Sequence, residues 1–269
     1  MNIDKCRLCQ KECVELKQSH IIPKMFYNVI KKKSISGYMR EVNNPNKSLQ
    51  DGLKVPFMCS DCEELFSKYE TFFSKDYYQD IVSNEGNCEI YTKNDNLRYF
   101  LLSIAWRVMR YIIESNNIEL TNEEIDLVKN ISENWRTMLI KEDMESIRNI
   151  QQFLIPTKEL PFFKGIESRI WNNVGMDFKT LDKENEFEYS AVITQVPFLI
   201  MVTSVWGKTN SMKQFLIGKK IKPRCSELPK LLENTLDDHH NRRFFDALNN
   251  LSDAQKDTIQ KRVRKNRKV

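Results

Sequence analysis

The sequence predicts an α+β protein, in which a small amino-terminal module precedes a larger, mainly helical domain with a small antiparallel sheet. Two closely spaced cysteine pairs within the first 62 residues indicate the module. Broad apolar stripes at helical spacing, and one segment rich in β-branched residues, indicate the helices and the sheet. We expect the first domain to span residues 1–75 and the second to span residues 76–269.

The two C-x-x-C pairs, Cys6 with Cys9 and Cys59 with Cys62, predict a structural zinc site. Two thiol pairs far apart in sequence are a common way to place four soft ligands around one tetrahedral ion. Four thiolates leave no open coordination position, so such an ion stabilises the fold and does no chemistry. Three further cysteines have no partner spacing, and Cys13 among them is an alternative ligand: Cys13, Cys88 and Cys225.

The module divides into short elements. We expect a knuckle with a short hairpin over residues 1–17, an extended segment over 18–23, a helix over 23–33, an irregular stretch over 34–54, a strand over 55–58 and a helix from residue 63. A strand, a knuckle and a helix in that order, with a second knuckle from upstream, are the parts of a treble-clef zinc fold.

The second domain begins with the strongest helix signal, residues 95–116, where apolar residues recur at three and four. A capping box that opens at Thr121 predicts a helix to Trp135. Further helices are predicted over 141–150, 228–236 and 243–264, with a break near 249–250, and strands over 153–155, 186–195, 198–206 and 215–217, with Pro197 at a turn or an edge.

Composition and charge exclude some classes of protein. The chain has no apolar run of 18 residues and no signal-peptide pattern, so we expect a cytoplasmic protein with no membrane partner. The net charge of +5 is concentrated in residues 256–269, which carry +6 and can contact phosphates. A solvated, frayed terminus is the alternative interpretation. The run 237–240, Asp-Asp-His-His, is more typical of a helix end or turn than of a metal site.

The segment Ser19-His20-Ile21-Ile22-Pro23 lies between the two thiol pairs. Histidine followed by Ile-x-Pro in this position resembles the HNH nuclease family, and the resemblance covers residues 6–73. It implies a ββα-metal fold, in which a histidine on a strand faces a catalytic divalent ion held by the helix after the second knuckle. The alternative is a structural histidine that packs inside the module.

The resemblance assigns roles by position. It implies that His20 is the general base, a role that suits imidazole because it titrates near neutral pH. Glu63 stands where the family has its final histidine, and it is a suitable ligand for catalytic Mg²⁺ or Mn²⁺. The family often has a metal-binding residue where this chain has Ser19. Its middle asparagine, which orients the histidine, is absent from residues 54–58, and we expect Asn44, Asn46 or Asp51 to serve instead.

These observations favour a metal-dependent endonuclease that cleaves phosphodiester bonds, with DNA as substrate and, by analogy alone, a role in bacterial defence. Residues 76–269 would position the substrate, bind a protein partner or form a homodimer. The alternative is a non-catalytic zinc module that binds nucleic acid or protein. The side chains expected to contact nucleic acid are Lys31, Lys32, Lys33, Arg40 and Lys54.

Overall fold

The fold is described from a computed structural model. It describes residues 4–13, 15–34, 38–41, 43–115, 122–158, 160, 174–182, 189–222, 228–238 and 243–266. Thr121, Cys225, the histidines of the run 237–240 and the end of the basic tail lie outside these residues. No helix in the described part of the chain is long and apolar enough to pass through a lipid bilayer.

The described part of the amino-terminal region contains three small antiparallel pairs of strands and two helices. Strand β3 (Lys17–His20) pairs with β6 (Lys54–Met58), so that His20 lies opposite Lys54. The other elements here are β1 (Asp4–Lys5) paired with β2 (Glu12–Cys13), α1 (Lys24–Lys33), β4 (Met39–Arg40) paired with β5 (Ser48–Leu49), and α2 (Ser60–Phe73).

Helix α2 continues without interruption through a π-helical turn (Ser74–Tyr78) into α3 (Gln79–Ser83). The expected boundary after residue 75 falls inside this helical run, and the division into two domains stays a prediction. The strand–strand–helix order of β3, β6 and α2 matches the order predicted from the sequence, while the treble-clef assignment also stays a prediction.

The second region is built around a four-stranded antiparallel sheet in the order β8, β11, β10, β9. Its strands are β8 (Gln152–Pro156), β9 (Gly175–Asp182), β10 (Tyr189–Val196) and β11 (Leu199–Trp206). The remaining elements are β7 (Ile90–Tyr91) paired with β12 (Lys220–Ile221), α4 (Asp95–Glu114), α5 (Asn122–Ile140), α6 (Met144–Arg148), α7 (Lys230–Asp237), α8 (Arg243–Asn249) and α9 (Asp253–Asn266).

Helix α4 joins the two regions, because it contacts α2, α5, α6 and the sheet. Its cap is the Asn94 side chain, which accepts a hydrogen bond from the N–H of Asn96 at 2.8 Å. Aromatic rings fill the contact with α2: the ring centroids of Phe73 and Phe100 are 4.1 Å apart. One hydrophobic core therefore runs through both regions.

Most predicted elements are confirmed. The long helix, the two central strands, the turn at Pro197 and the break between α8 and α9 lie where the sequence places them. The prediction of a strand over 215–217 is wrong, because the chain there forms a 3₁₀ turn (Lys213–Phe215) and a single bridge from Leu216 to Phe153. Strand β9 was not predicted, although Met176 and Phe178 alternate with polar residues.

Candidate metal centre and the His20 site

The sulfur atoms of Cys6, Cys9, Cys59 and Cys62 all lie within 4.8 Å of one another. The Sγ atoms of Cys9 and Cys59 are 3.8 Å apart. A tetrahedral zinc ion with Zn–S bonds of about 2.3 Å sets its sulfurs about 3.8 Å apart, so the donor set and its spacing fit this metal. The predicted four-cysteine metal cluster is confirmed as a geometric site.

Backbone geometry prepares these thiols for a cation. Cys59 caps α2 and Cys62 lies in its first turn, where the helix dipole favours thiolate. A hydrogen bond from the Cys62 thiol, assisted by the N–H of Cys59 at 3.3 Å, lowers the pKa of Cys6. The same bond raises the pKa of Cys62, and burial raises that of Cys9. Loading the site therefore displaces protons from thiols.

His20 ends strand β3, and its ring meets a carboxylate. Its Nε2 lies 2.8 Å from Oδ1 of Asp51, which also accepts the N–H of Gly52 at 2.9 Å. The other oxygen of Asp51 lies 2.5 Å from Nζ of Lys54. Burial alone would raise the pKa of Asp51, but the hydrogen bonds from Lys54, His20 and Gly52 hold it well below its usual range.

With Asp51 ionised, the neutral tautomer that satisfies both groups places the His20 proton on Nε2. No hydrogen-bond partner of Nδ1 is found among the residues that the structure describes, so Nδ1 keeps its lone pair. The side chain of His20 is only 16% exposed, which leaves one edge of the ring accessible.

Gly52 and Tyr27 form the wall beside this pair. A Cβ at Gly52 would lie 2.0 Å from the Tyr27 ring, so only glycine allows the ring to pack on the backbone here. The rings of Tyr27 and His20 are 6.2 Å apart between centroids. Burial raises the pKa of Tyr27 to about 12, so its phenol stays neutral near pH 7.

Arg107 fixes the end of β3 from the opposite region of the chain. Its Nη1 donates to the main-chain oxygen of His20 at 3.0 Å and to Oε1 of Glu70 at 2.8 Å. The side chain is 3% exposed, and its guanidinium lies 5.2 Å from the centroid of the Phe66 ring. A helix of the second region therefore sets the position of the strand that carries His20.

Asn46 and Glu63, two other predicted site residues, form no hydrogen bond with His20 in the described part of the chain. Asn46 uses its side-chain amide elsewhere: it donates to Asn250 and accepts the N–H of Ser252 at 2.9 Å. Of the three residues predicted to orient the imidazole, Asp51 is the one that contacts it. Oε1 of Glu63 is buried and finds no hydrogen-bond partner in the described part of the chain. Within the described residues, only the four cysteines bring together three or more metal-ligating side chains.

The predicted basic residues have different partners, and their role in binding nucleic acid stays a prediction. Lys31 and Lys54 flank the Asp51 turn, because Lys31 donates to the carbonyl of Gln50 at 2.9 Å. Lys32 is exposed on α1. Lys33 pairs with Glu85 at 3.4 Å. Arg40 donates to Pro45 and to Gln255 of α9.

Sequence analysis did not single out Tyr27, Gly52 or Arg107. Arg107 left a signal, because it interrupts the apolar stripe of α4 three residues after Ile104, where a solvated charge is not expected. Comparison of the chain with protein-family models, with curated proteins and with solved structures gave no match.

Proposed function

We propose that the chain is an HNH-like endonuclease that hydrolyses phosphodiester bonds, with DNA as its substrate. The observation that carries the proposal is the 2.8 Å contact between Nε2 of His20 and Oδ1 of Asp51, at the end of the β3–β6 pair where His20 lies opposite Lys54. A ring held by a carboxylate, with its second nitrogen unbonded, is the usual arrangement of a general base.

In this proposal Asp51 fixes the tautomer and Nδ1 of His20 takes a proton from water. The water oxygen bonds to phosphorus as the bond from phosphorus to the leaving sugar oxygen breaks. That oxygen takes up a proton from bulk water, to which His20 returns the proton that it accepted. The ammonium group of Lys54, which pairs with Asp51, would lie within reach of the phosphate. Arg107 is a positioning residue, because it holds the backbone of His20 and does not touch the ring.

A divalent ion, Mg²⁺ or Mn²⁺, would supply charge neutralisation at the phosphate. The residue that would hold it is Glu63, and its buried Oε1 without a hydrogen-bond partner fits a cation. Mg²⁺ commonly uses one or two carboxylates together with water and substrate phosphates, so a cage of three side chains is not required.

A second candidate function is a non-catalytic zinc module that binds nucleic acid or protein. The observation in its favour is that both oxygens of Asp51 are already bonded, one to His20 and one to Lys54. In this interpretation the imidazole has a structural role in the turn between β5 and β6.

The deciding experiment is cleavage of supercoiled plasmid DNA with Mg²⁺ or Mn²⁺ by the native chain and by His20→Ala. We expect the substitution to lower the rate by about 100-fold or more, the usual contribution of a positioned base. Asp51→Asn should lower it less, because the amide can still bond to the ring. Gln18→Ala, an exposed neighbour on the same strand, is the matched control and should cut at the native rate.

Equal cutting by native protein and His20→Ala would rule out His20 as the base. DNA binding by both proteins without any cutting would support the non-catalytic alternative. Chelation by EDTA, followed by addition of Mg²⁺, tests the need for a second ion, and the cysteine site is monitored by zinc content in the same samples.

A further inference from the structure

The carboxy-terminal helices dock on the irregular loop of the first region, residues 38–46. Nη2 of Arg40 donates to Oε1 of Gln255 at 3.2 Å, and Nη1 donates to the carbonyl of Pro45 at 2.6 Å. The side chain of Asn46 bonds to the main chain of Asn250 and of Ser252. Segments more than 200 residues apart are therefore held together.

Arg262 of α9 lies against the same loop. The carbon of its guanidinium is 4.0 Å from the centroid of the Tyr38 ring, which fixes the plane of the charged group. Its Nη1 is buried and has no hydrogen-bond partner among the residues that the structure describes. A buried guanidinium nitrogen without an acceptor is costly, and such a group in a folded protein calls for a missing partner.

Arg40 and Arg262 are neighbouring positive charges. Burial lowers the pKa of Arg40, and the charge of Arg262 lowers it further. In the described part of the chain, neither guanidinium forms an ion pair with a carboxylate. Most of the other arginines there do, as Arg148 does with Asp95 and Arg107 with Glu70.

A polar groove adjoins the pair. It has a volume of about 410 Å³ and lies between the loop and α8. Pro45 connects the two sites, because it lines the groove and accepts the hydrogen bond of Arg40. Side-chain amides, one guanidinium and the carboxylate of Asp246 also line the groove. The amides and the guanidinium are groups that hydrogen-bond to sugar and phosphate oxygens: Asn43, Asn44, Asn46, Asn250 and Arg243.

We propose that Arg40 and Arg262 form one phosphate site, assembled when α9 docks on the loop 38–46, and that it takes a backbone phosphate of nucleic acid. The nucleic-acid identity of the ligand rests on the proposed function. Two guanidinium groups present donors on neighbouring planes, which suits the several acceptor oxygens of one phosphate. The basic carboxy terminus would then hold the strand at a fixed place beside the loop.

The test uses the full chain carrying His20→Ala, so that DNA is bound and not cut. Binding of a fluorescent duplex is measured by anisotropy over a range of salt concentrations. Arg262→Gln and Arg40→Gln should each lower the slope of log K against log salt by about 0.9, the loss of one phosphate contact. Arg148→Gln is the matched control, since it removes the same charge from an exposed pair, and its slope should stay at the parent value.

Trypsin digestion of α9 shows whether Arg262→Gln is still docked. If that variant releases α9, Arg40→Gln decides alone, because it changes the loop and leaves every side chain of α9 in place. An unchanged slope in Arg40→Gln, or equal losses in Arg148→Gln, would overturn the proposal. Inorganic phosphate is titrated in parallel: a phosphate affinity that depends on Arg262, with an unchanged DNA slope, would mean that the site takes free phosphate and would also overturn it.

The two proposals fail in different ways. Suppose that the salt slope of DNA binding depends on Arg262, but the native chain does not cut DNA. This result would support the phosphate site and reject the nuclease. Cutting that depends on His20, with a slope indifferent to both arginines, would reject the phosphate site alone.

Discussion

The amino-terminal region and the sheet region both contain antiparallel strands, but they hold those strands by different means. Strand β10 has eight residues, all buried, and pairs along its full length with β9 and β11. Four strands of the amino-terminal region have only two residues each. Short ladders bury little apolar surface, and in this region four sulfurs provide the long-range connection instead.

Because of this difference, we expect substitutions in the two regions to have different effects on metal content and on stability. Removal of a metal ligand should release the short strands together, since no extended ladder holds them. Removal of a core side chain from the sheet should lower stability and leave the metal bound. Helix α4 contacts both regions, so a substitution there can affect both of them.

The largest effect is expected from Cys59→Ser. Structural zinc in small modules is worth about 10–16 kcal/mol of apparent binding free energy, so loss of one ligand should release the metal and unfold residues 4–58. Zinc content and circular dichroism of the purified variant measure both effects. Cys88→Ser is the control, because Cys88 lies outside the cluster and should keep the metal. Full zinc content in Cys59→Ser would show that Cys59 is not a ligand.

Next in size is Ile193→Ala in the centre of β10. The side chain is 1% exposed, so truncation should lower the free energy of unfolding by about 4 kcal/mol through lost burial and a cavity. Urea denaturation measures the loss, and metal analysis should show native zinc content. Loss of zinc in this variant would mean that the two regions do not differ as described.

Arg107→Ala tests the connection between the regions. The guanidinium bonds to the backbone of His20 and to Glu70, and its removal leaves that carboxylate without its partner. Because Glu70 keeps some contact with water, we expect a loss of about 3 kcal/mol in unfolding free energy, at the low end for a broken buried pair. Arg110→Ala, one turn away in a more exposed pair with Glu114, should cost about 1 kcal/mol or less. Equal losses would argue against a bridging role.

The smallest effect is expected from Gly52→Ala. The new methyl group would meet the Tyr27 ring, and overpacking should cost about 2 kcal/mol and shift Asp51 away from His20. In a double-mutant cycle with Tyr27→Ala, most of the cost should disappear because the obstructing ring is gone. Additive losses measured by urea denaturation would place the cause outside this contact.

Local patterns predicted the fold well where one element buries one face. The apolar stripe from Leu97 to Ile112 predicted α4, and the β-branched run around Pro197 predicted β10 and β11. These predictions succeed because the spacing of apolar residues follows the face that an element buries. The cysteine spacing gave the metal cluster, since few other arrangements explain two C-x-x-C pairs. The prediction of a strand over residues 215–217 was wrong because an apolar triplet packs equally well in a 3₁₀ turn.

Local sequence patterns predicted the candidate site only in part. Asn44, Asn46 and Asp51 were equivalent as sequence, and the turn at Gly52 alone brings Asp51 to the imidazole. Arg107, which fixes the backbone of His20 across 87 residues, had no local partner to reveal it.

By itself, the sequence determined the helices, the central strands and the four thiols, because each follows from residue types at fixed local spacing. The tertiary structure alone decided which carboxylate faces His20, which helix supports it and that α9 lies on the loop 38–46. Those contacts join segments separated by tens to hundreds of residues. Their pairing depends on how whole faces pack, and local periodicity carries no information about the partner of a given face.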